Sequence, residues 1–255
     1  MNMKTKTTKY FPGMYQKNRS LGKQMVENYF RRLDEKLVKA IKKDMEKTPP
    51  PSICLSRKIG IGALEVADIL AERLQYVVVD RQIIEHIAGN AVLSRKTVEV
   101  FDERYPGKMT EFKNFLFGEK SFIKSDYSRL LTESVLALSG LQPSIFVGRG
   151  THLILPRERT LAVRLTGSVE TRVKRLQKIL DQNAKACKAE LTSQDTEQAA
   201  FFKTVFGKKD APAIEFDLVI NRDFLEDPGA VADIIEVAFI KKFAKELTGD
   251  TARKG

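Results

Sequence analysis

From residue 52 onward two kinds of hydrophobic pattern take turns along the chain. Short apolar runs occur at Ser52–Leu55, Tyr76–Val79, Ser144–Val147, Leu161–Thr166 and Ile214–Ile220. Each has the length and β-branched content of a strand. Between them lie stretches whose apolar residues recur every three or four positions. Ala63–Leu74 turns Val66, Ala67, Leu70 and Leu74 to one side, and the next stretch gathers Ile83, Ile84 and Ile87. A further helical stretch, with Ser94 as its expected cap, runs through Phe101, and others cover Tyr127–Leu138, Glu170–Leu180 and Gly229–Leu247. Strand and helix in alternation predict βαβ units and a largely parallel sheet. Residues 105–120 are polar and aromatic with no clear period, and 181–210 are polar and partly helical. No internal repeat is visible.

The first fifty residues follow a different pattern. Residues 1–19 are polar and basic. From about Ser20 a helical stripe sets in, with Val26, Tyr29, Phe30, Leu33, Leu37, Ala40 and Ile41 on one side and mainly Lys, Arg and Glu opposite. Pro49-Pro50-Pro51 stops this helix and makes a stiff linker. The expected division is a basic arm with an amphipathic helix over 1–50, a main domain over 51–247 and a tail over 248–255. The apolar stripe needs a partner surface, either the domain behind it or a second chain, as in a homodimer. The sequence leaves both open.

Composition narrows the class. A chain of 255 residues, 42% hydrophobic and 30% charged, suits one α/β unit with an appendage and excludes wholesale disorder. The longest apolar runs are far too short to span a membrane, and the N-terminus has no apolar segment of the secretory kind. Cys54 and Cys187 form no disulfide framework or metal-ligand spacing. A cytoplasmic protein is expected. The net charge is +11, but residues 1–50 hold 13 Lys/Arg against 5 Asp/Glu, so the arm accounts for most of it. A basic arm suits nucleic acid or an acidic surface, and equally a solvated extension. The chain lacks interleaved aromatics and any nucleic-acid reading motif, so nucleic acid is not an expected partner.

Chemistry enters at Gly60-Ile61-Gly62, between the first strand and its helix. Two glycines there let the backbone curl until its N–H groups converge, and with the helix dipole they form an anion site suited to phosphate. A plain βα turn uses glycine for the same steric reason. His86 and His152 have no acid or nucleophile at a catalytic spacing, although His152 follows the turn Gly148-Arg149-Gly150 closely enough to reach a ligand.

The ordered segments ICLSRKIGIGALEVADILAERL, YVVVDRQIIEHIA, SIFVGRGTHLIL, LTGSVETRVKRL and FDLVINRD resemble the cytidylate kinase-like family of P-loop nucleoside monophosphate kinases, over about residues 52–240. The resemblance implies a P-loop NTPase-type three-layer α/β/α fold with a five-stranded parallel sheet. It also implies a nucleoside-monophosphate (NMP) segment and a lid over about 172–210, here behind an N-terminal helical extension. It implies ATP with Mg²⁺ as donor and CMP or dCMP as acceptor. Gly60 and Gly62 match the phosphate-cradling glycines, with Ser56, Arg57, Ile61 and Ala63 completing the donor loop. Asp80 and Arg81 stand where the monophosphate region begins, Asp80 serving as ligand contact, helix cap or both. Arg149 matches an arginine that contacts the acceptor phosphate; pairing with a surface carboxylate is the plainer alternative. Arg172 and Arg175 open the lid-side helix, Asp195 matches a lid acid, and Asn221 and Arg222 fall near the adenine pocket.

The pattern also breaks. A working phosphate loop carries a lysine for the β/γ-phosphates and a hydroxyl for Mg²⁺. Here Arg57 stands at the first glycine and Ala63 at the lysine, and Leu64-Glu65 bring no hydroxyl where the Ser/Thr is expected. The lid reads Gln194-Asp195-Thr196-Glu197-Gln198, so the arginines that flank the acid in such lids are gone. Lys58 is the expected substitute cation, Glu65 the expected metal ligand, and Arg57 is expected to pair with Glu65 or to face the acceptor. Two functions follow: an ATP-dependent nucleoside monophosphate kinase, or a nucleotide-binding pseudokinase that serves as a sensor. Deleting residues 1–50 is expected to leave a folded domain, because the proline linker separates the two parts. A cooperative thermal melt of the truncated protein checks this, and its loss would put the arm in the core.

Overall fold

The computed structural model describes residues 49–111 and 125–249. The basic arm with its expected helix, the last six residues and the stretch 112–124 lie outside the described residues. Five strands form one parallel sheet: β1 (Ser52–Arg57), β2 (Val77–Val79), β3 (Ser144–Val147), β4 (Thr160–Thr166) and β5 (Leu218–Asn221), in the order β2-β3-β1-β4-β5. Nine α-helices connect or follow them among the described residues: α1 (Ala63–Leu74), α2 (Arg81–Ala88), α3 (Ala91–Arg104), α4 (Asp126–Leu141), α5 (Thr151–Ile154), α6 (Val169–Leu180), α7 (Ala184–Phe206), α8 (Pro228–Lys242) and α9 (Ala244–Gly249).

Strand side chains alternate between two cores, as the pleat requires. Ile53, Leu55, Ile145 and Leu165 point to the face covered by α1 and α8, where they meet Val66, Leu70, Ile235 and Phe239. Cys54 and Phe146 point to the other face, where Ile84 of α2, Phe101 of α3, Val135 of α4 and Phe206 of α7 cover them. The result is three layers. A smaller third cluster joins α6 to α7 through Val173, Leu176, Leu180, Cys187 and Leu191, and takes in Ile59 from the loop after β1.

Several boundaries differ from the sequence pattern. β1 continues to Arg57, because Ser56 and Arg57 stay paired with Arg164 and Leu165 of β4. Ser94 caps nothing. Asn90 accepts from the N–H groups of Val92 and Leu93 and starts α3, while the Ser94 hydroxyl meets that of Ser134 inside the core at 2.9 Å. The expected strand over Ile214–Ile220 begins only at Leu218. Before it, residues 213–215 form a 3₁₀ turn after Pro212 with Ile214 in solvent, and Arg157 donates to the Glu215 carbonyl at 2.7 Å. The polar stretch after 181 is one helix of 23 residues, capped by Asn183 and ended by Gly207 at φ 68°. The C-terminal helix breaks at Phe243 into α8 and α9.

Gly140, inside α4, shows how tightly this core is set. A Cβ there would collide with the ring of Phe101, which is fully buried. Gly140→Ala gains up to about 1 kcal/mol of helix propensity, but overpacking costs roughly 1–3 kcal/mol. The variant is expected to melt below the wild type in a thermal or urea denaturation, and a higher midpoint would show that Phe101 moves aside freely.

Candidate phosphate-binding site

The polar residues converge at the C-terminal edge of the sheet. There β1 leads through α1 toward β2 on one side, while the chain leaving β3 passes β1 to reach β4 on the other. Such a switch point opens a crevice where parallel α/β sheets take ligands. The loop after β1 lies in it. Gly60 and Gly62 have φ of 79° and 78°, a conformation that a side chain resists. Close approach matters as well, since a Cβ on Gly60 would sit 2.7 Å from Leu176 Cδ1. Among the described residues no backbone carbonyl accepts from the N–H groups of Gly60, Ile61 or Gly62. Gly62 caps α1 without a side-chain bond, so that helix presents its positive end to the crevice.

Two guanidinium groups flank this turn. A Cβ on Gly62 would collide with Arg175, and would lie 2.7 Å from Nη1 of Arg222. Arg222 is 1% exposed and fixed: Nη1 donates to the Ile61 carbonyl at 2.7 Å, Nη2 to the Glu226 carbonyl and Nε to that of Leu225 at 3.5 Å. Burial, and then the neighbouring Arg175, lower its pKa. Arg175 donates to Glu65 at 2.6 Å. Arg172 donates to the Ile59 carbonyl at 3.2 Å and to both oxygens of Asp195 at 3.1 and 2.9 Å, tying the loop to α7. Asn221 is exposed and accepts from the N–H of Asp223 at 3.0 Å. Lys58 meets Asp210 at 3.5 Å, and Asp210 also pairs with Arg164 at 2.9 Å. The side chains at Gly62 are therefore Arg175 and Arg222, and Glu65 pairs with Arg175 rather than Arg57.

Arg57 belongs to a second group, with Arg81 and Arg149. These three line a cavity of only about 30 Å³, together with Ser56, Gln198 and Phe201. Arg149 has φ 52° between two glycines that also have positive φ, so the Gly148–Gly150 turn holds it in a left-handed conformation that side-chain-bearing residues avoid. Its guanidinium lies 4.0 Å from the Phe201 ring centroid and pairs with Glu85. Burial, then repulsion from Arg81 and Arg57, pushes its pKa down to about 9, against a weaker pull from Glu197. Arg81 reaches Glu85 at 3.0 Å and Glu197. Asp80 is the helix cap: its carboxylate accepts from the N–H groups of Gln82 and Ile83 at 2.9 and 3.2 Å. The Nε–H groups of Arg149, Arg172 and Arg175 are buried with no acceptor among the described residues. Crowded, under-satisfied guanidinium groups beside a glycine turn suit a phosphorylated ligand.

The pattern-based reading missed Gln198, which donates to the Arg57 carbonyl at 3.1 Å, as well as Phe201, Glu85 and Glu197. Three of the four lie on α7, whose polar sequence shows no stripe; the adjacent Phe201-Phe202 in that run was the available signal. On the other side of Gly62 a cleft of about 1100 Å³ separates α1 from α6 and the 223–228 turn. Its walls are oppositely charged, with Glu65, Asp68 and Glu72 facing Lys174, Arg175 and Lys178. Burial, with a smaller push from Asp80, raises the Asp68 pKa to about 6. The chemistry fits a polyphosphate held at Gly62 with its nucleoside in the cleft. For a magnesium ion, Glu65 offers a carboxylate in the first turn of α1, just after the loop, and Mg²⁺ commonly takes one or two carboxylates with phosphate oxygens and water. The donor set fits if Arg175 releases it.

A family model described as the cytidylate kinase-like family matches residues 52–223. No curated protein matches the chain. Among solved structures, an uncharacterized protein from Eubacterium ventriosum superposes with a TM-score of 0.54 at 16% identity, covering 76% of this chain and 99% of its own. A gluconokinase from Sinorhizobium meliloti gives 0.44 at 16% identity, covering 80% and 99% of the two chains. A shikimate kinase from Bacteroides thetaiotaomicron gives 0.39 at 14%, covering 74% and 98%. At such identities the first of these speaks for the fold alone.

His152 turns away from this chemistry. It is buried, 4.5 Å from the Phe216 ring centroid, with Nε2 3.4 Å from Glu215. Burial pushes its pKa down to about 4, against a smaller pull from Glu215. Between that value and the ordinary 6.5 the unfolded chain binds a proton that the folded chain refuses, so stability falls as pH drops through this window. Urea midpoints at pH 7 and 4.5 are expected to separate by more in the wild type than in His152→Gln, and an equal separation would remove His152 as the cause.

Proposed function

The chain belongs to the cytidylate kinase-like family, and we propose that it is a nucleotide-binding phosphotransferase that moves the terminal phosphoryl group of ATP to a nucleoside monophosphate, CMP or dCMP. One observation carries the reading: Arg57, Arg81 and Arg149 converge on one cavity beside the Gly60–Gly62 turn, which Arg175 and Arg222 flank in turn. Two anion sites at one sheet edge are what transfer between two phosphates requires.

Phosphoryl transfer asks little covalent chemistry of a protein. It needs reactants held in line and charge neutralised on the transferring group. In this reading the N–H groups of the Gly60–Gly62 turn and the guanidinium of Arg175 hold the donor phosphates. Arg222 supports the turn through its carbonyls. Arg149, with Arg81 and Arg57, holds the acceptor phosphate, whose oxygen is already ionised and needs no general base. Asp80 orients α2, and hence Arg81, through its cap. Arg172 and Asp195 keep the lid helices against Ile59. Lys58, from its pair with Asp210, adds positive charge at the rim. Bound at the loop through Glu65, Mg²⁺ would supply further neutralisation of the donor phosphates. The sheath of Phe201, Phe202 and α7 excludes water, which would otherwise compete as acceptor.

A second reading has its own support. Ala63 brings no cation to the loop, and Gln194 and Gln198 stand where lid arginines are expected. A protein that binds the nucleotides without turnover, as a sensor, matches those residues. A coupled assay with ATP, Mg²⁺ and each monophosphate separates the two. Acceptor-dependent ADP formation supports the transferase, and binding by calorimetry without turnover supports the sensor. In either case Arg149→Ala is expected to weaken monophosphate binding roughly 10- to 150-fold, the worth of a charge-assisted bond of about 1.5–3 kcal/mol. ATP binding should change little. Unaltered monophosphate affinity would remove the acceptor site from this cavity.

A further inference from the structure

Glu65 is the third residue of α1, and its carboxylate accepts from Arg175 Nη2 at 2.6 Å. Both side chains are about one-fifth exposed, at 20% and 22%, so water only partly screens the pair. The place of this ion pair gives it significance. The Arg175 guanidinium lies against Gly62, in the space a Cβ would take, and Gly62 is the residue from which α1 springs. The positive end of that helix, Arg175 and Arg222 thus share one spot, and Glu65 is the carboxylate bonded to this group. Arg222 is committed to backbone carbonyls. Arg175 is not: its Nη2 is held by Glu65, and its buried Nε has no acceptor among the described residues. A polyphosphate seated on the Gly60–Gly62 turn has to take the guanidinium that Glu65 now holds.

We infer that Glu65 is an internal counter-anion of the phosphate loop. It neutralises Arg175 while the loop is empty, competes with incoming polyphosphate, and on displacement is released toward the magnesium ion carried by that polyphosphate. This rests on the donor-site reading above and adds to it the residue that sets donor affinity. Because the exchange replaces one charge-assisted bond by another, the loop is never left with an isolated guanidinium cluster. The carboxylate becomes free at the moment a divalent cation needs an oxygen ligand.

The test is calorimetry with ATP, once in EDTA and once with Mg²⁺, on the wild type, Glu65→Gln, Arg175→Gln, the double variant and Glu72→Gln. Glu65→Gln is expected to tighten metal-free ATP binding by about tenfold, the scale of one such bond less its screening. In the Arg175→Gln background the same change should have no effect, a non-additivity that a general loss of negative charge would not produce. Glu72 lines the same cleft without bonding Arg175, so Glu72→Gln should shift affinity by less than about twofold. The gain that Mg²⁺ brings to the wild type should shrink in Glu65→Gln. Metal-free affinity that is unchanged or weaker in Glu65→Gln overturns the inference, as does equal tightening by Glu72→Gln or an undiminished Mg²⁺ gain. In each of those cases the wild type still binds ATP and the donor site stands. A wild type that binds ATP in neither condition removes the donor site itself, and this inference with it.

Discussion

The turn between Arg57 and Gly62 is clamped by two apolar bodies that share no residue. Ile61 is buried with the sheet and α1, whereas Ile59 is buried with Leu176, Leu180 and Leu191 of α6 and α7. Two arginines tighten the clamp, Arg172 donating to the Ile59 carbonyl and Arg222 to that of Ile61. With the Ile59 and Ile61 carbonyls engaged, the N–H groups of Gly60, Ile61 and Gly62 meet no backbone carbonyl among the described residues. Gly60 and Gly62 take a positive φ that a side chain resists, and a Cβ on either would also have to displace the tips of Leu176 or Arg175. The start of α1 follows directly from this turn.

A second regularity concerns charge. Four arginines of the crevice pair with carboxylates: Arg172 with Asp195, Arg175 with Glu65, and Arg81 and Arg149 with Glu85. Burying guanidinium groups without partners would be costly, and these carboxylates offset that cost. The matching is incomplete. Burial and mutual repulsion still depress the pKa values of Arg149 and Arg222, which marks a residual positive field for a ligand to relieve.

The layered sheet was legible because strand runs such as Ile53–Leu55 and Ile145–Val147 are apolar on both faces and punctuated by glycine turns. What local pattern could not supply was the outcome of competition between distant groups. Asn90 outcompetes Ser94 as cap because Ser94 faces Ser134 across the helix pair. Residues 214–217 are apolar enough for a strand, yet Pro212 and the Arg157 bond to Glu215 bend them away. The glycine loop and the Gly148-Arg149-Gly150 turn were visible as motifs. The cation at the loop was not, since Lys58, near in sequence, is drawn to Asp210, whereas Arg175 comes from 110 residues away. Arg57 belongs to the donor loop by position and was open to either side; as the last residue of β1 it lines the cavity with Arg81 and Arg149.

The cavity among Arg57, Arg81 and Arg149 has room for about one water molecule. A nucleotide is many times larger, so one held among these arginines would need α7 to stand farther from β1. One wall is the C-terminal third of α7, a beam of about 35 Å by helix geometry. One end of that beam is rooted among Cys187 and Leu191, and the other by Phe202, Val205 and Phe206 in the main core. A beam fixed at both ends yields by bowing or by uprooting one support. Uprooting the second would bare three large apolar side chains to water. Widening the cavity would therefore carry a mechanical cost, set by how firmly the two ends of α7 are held.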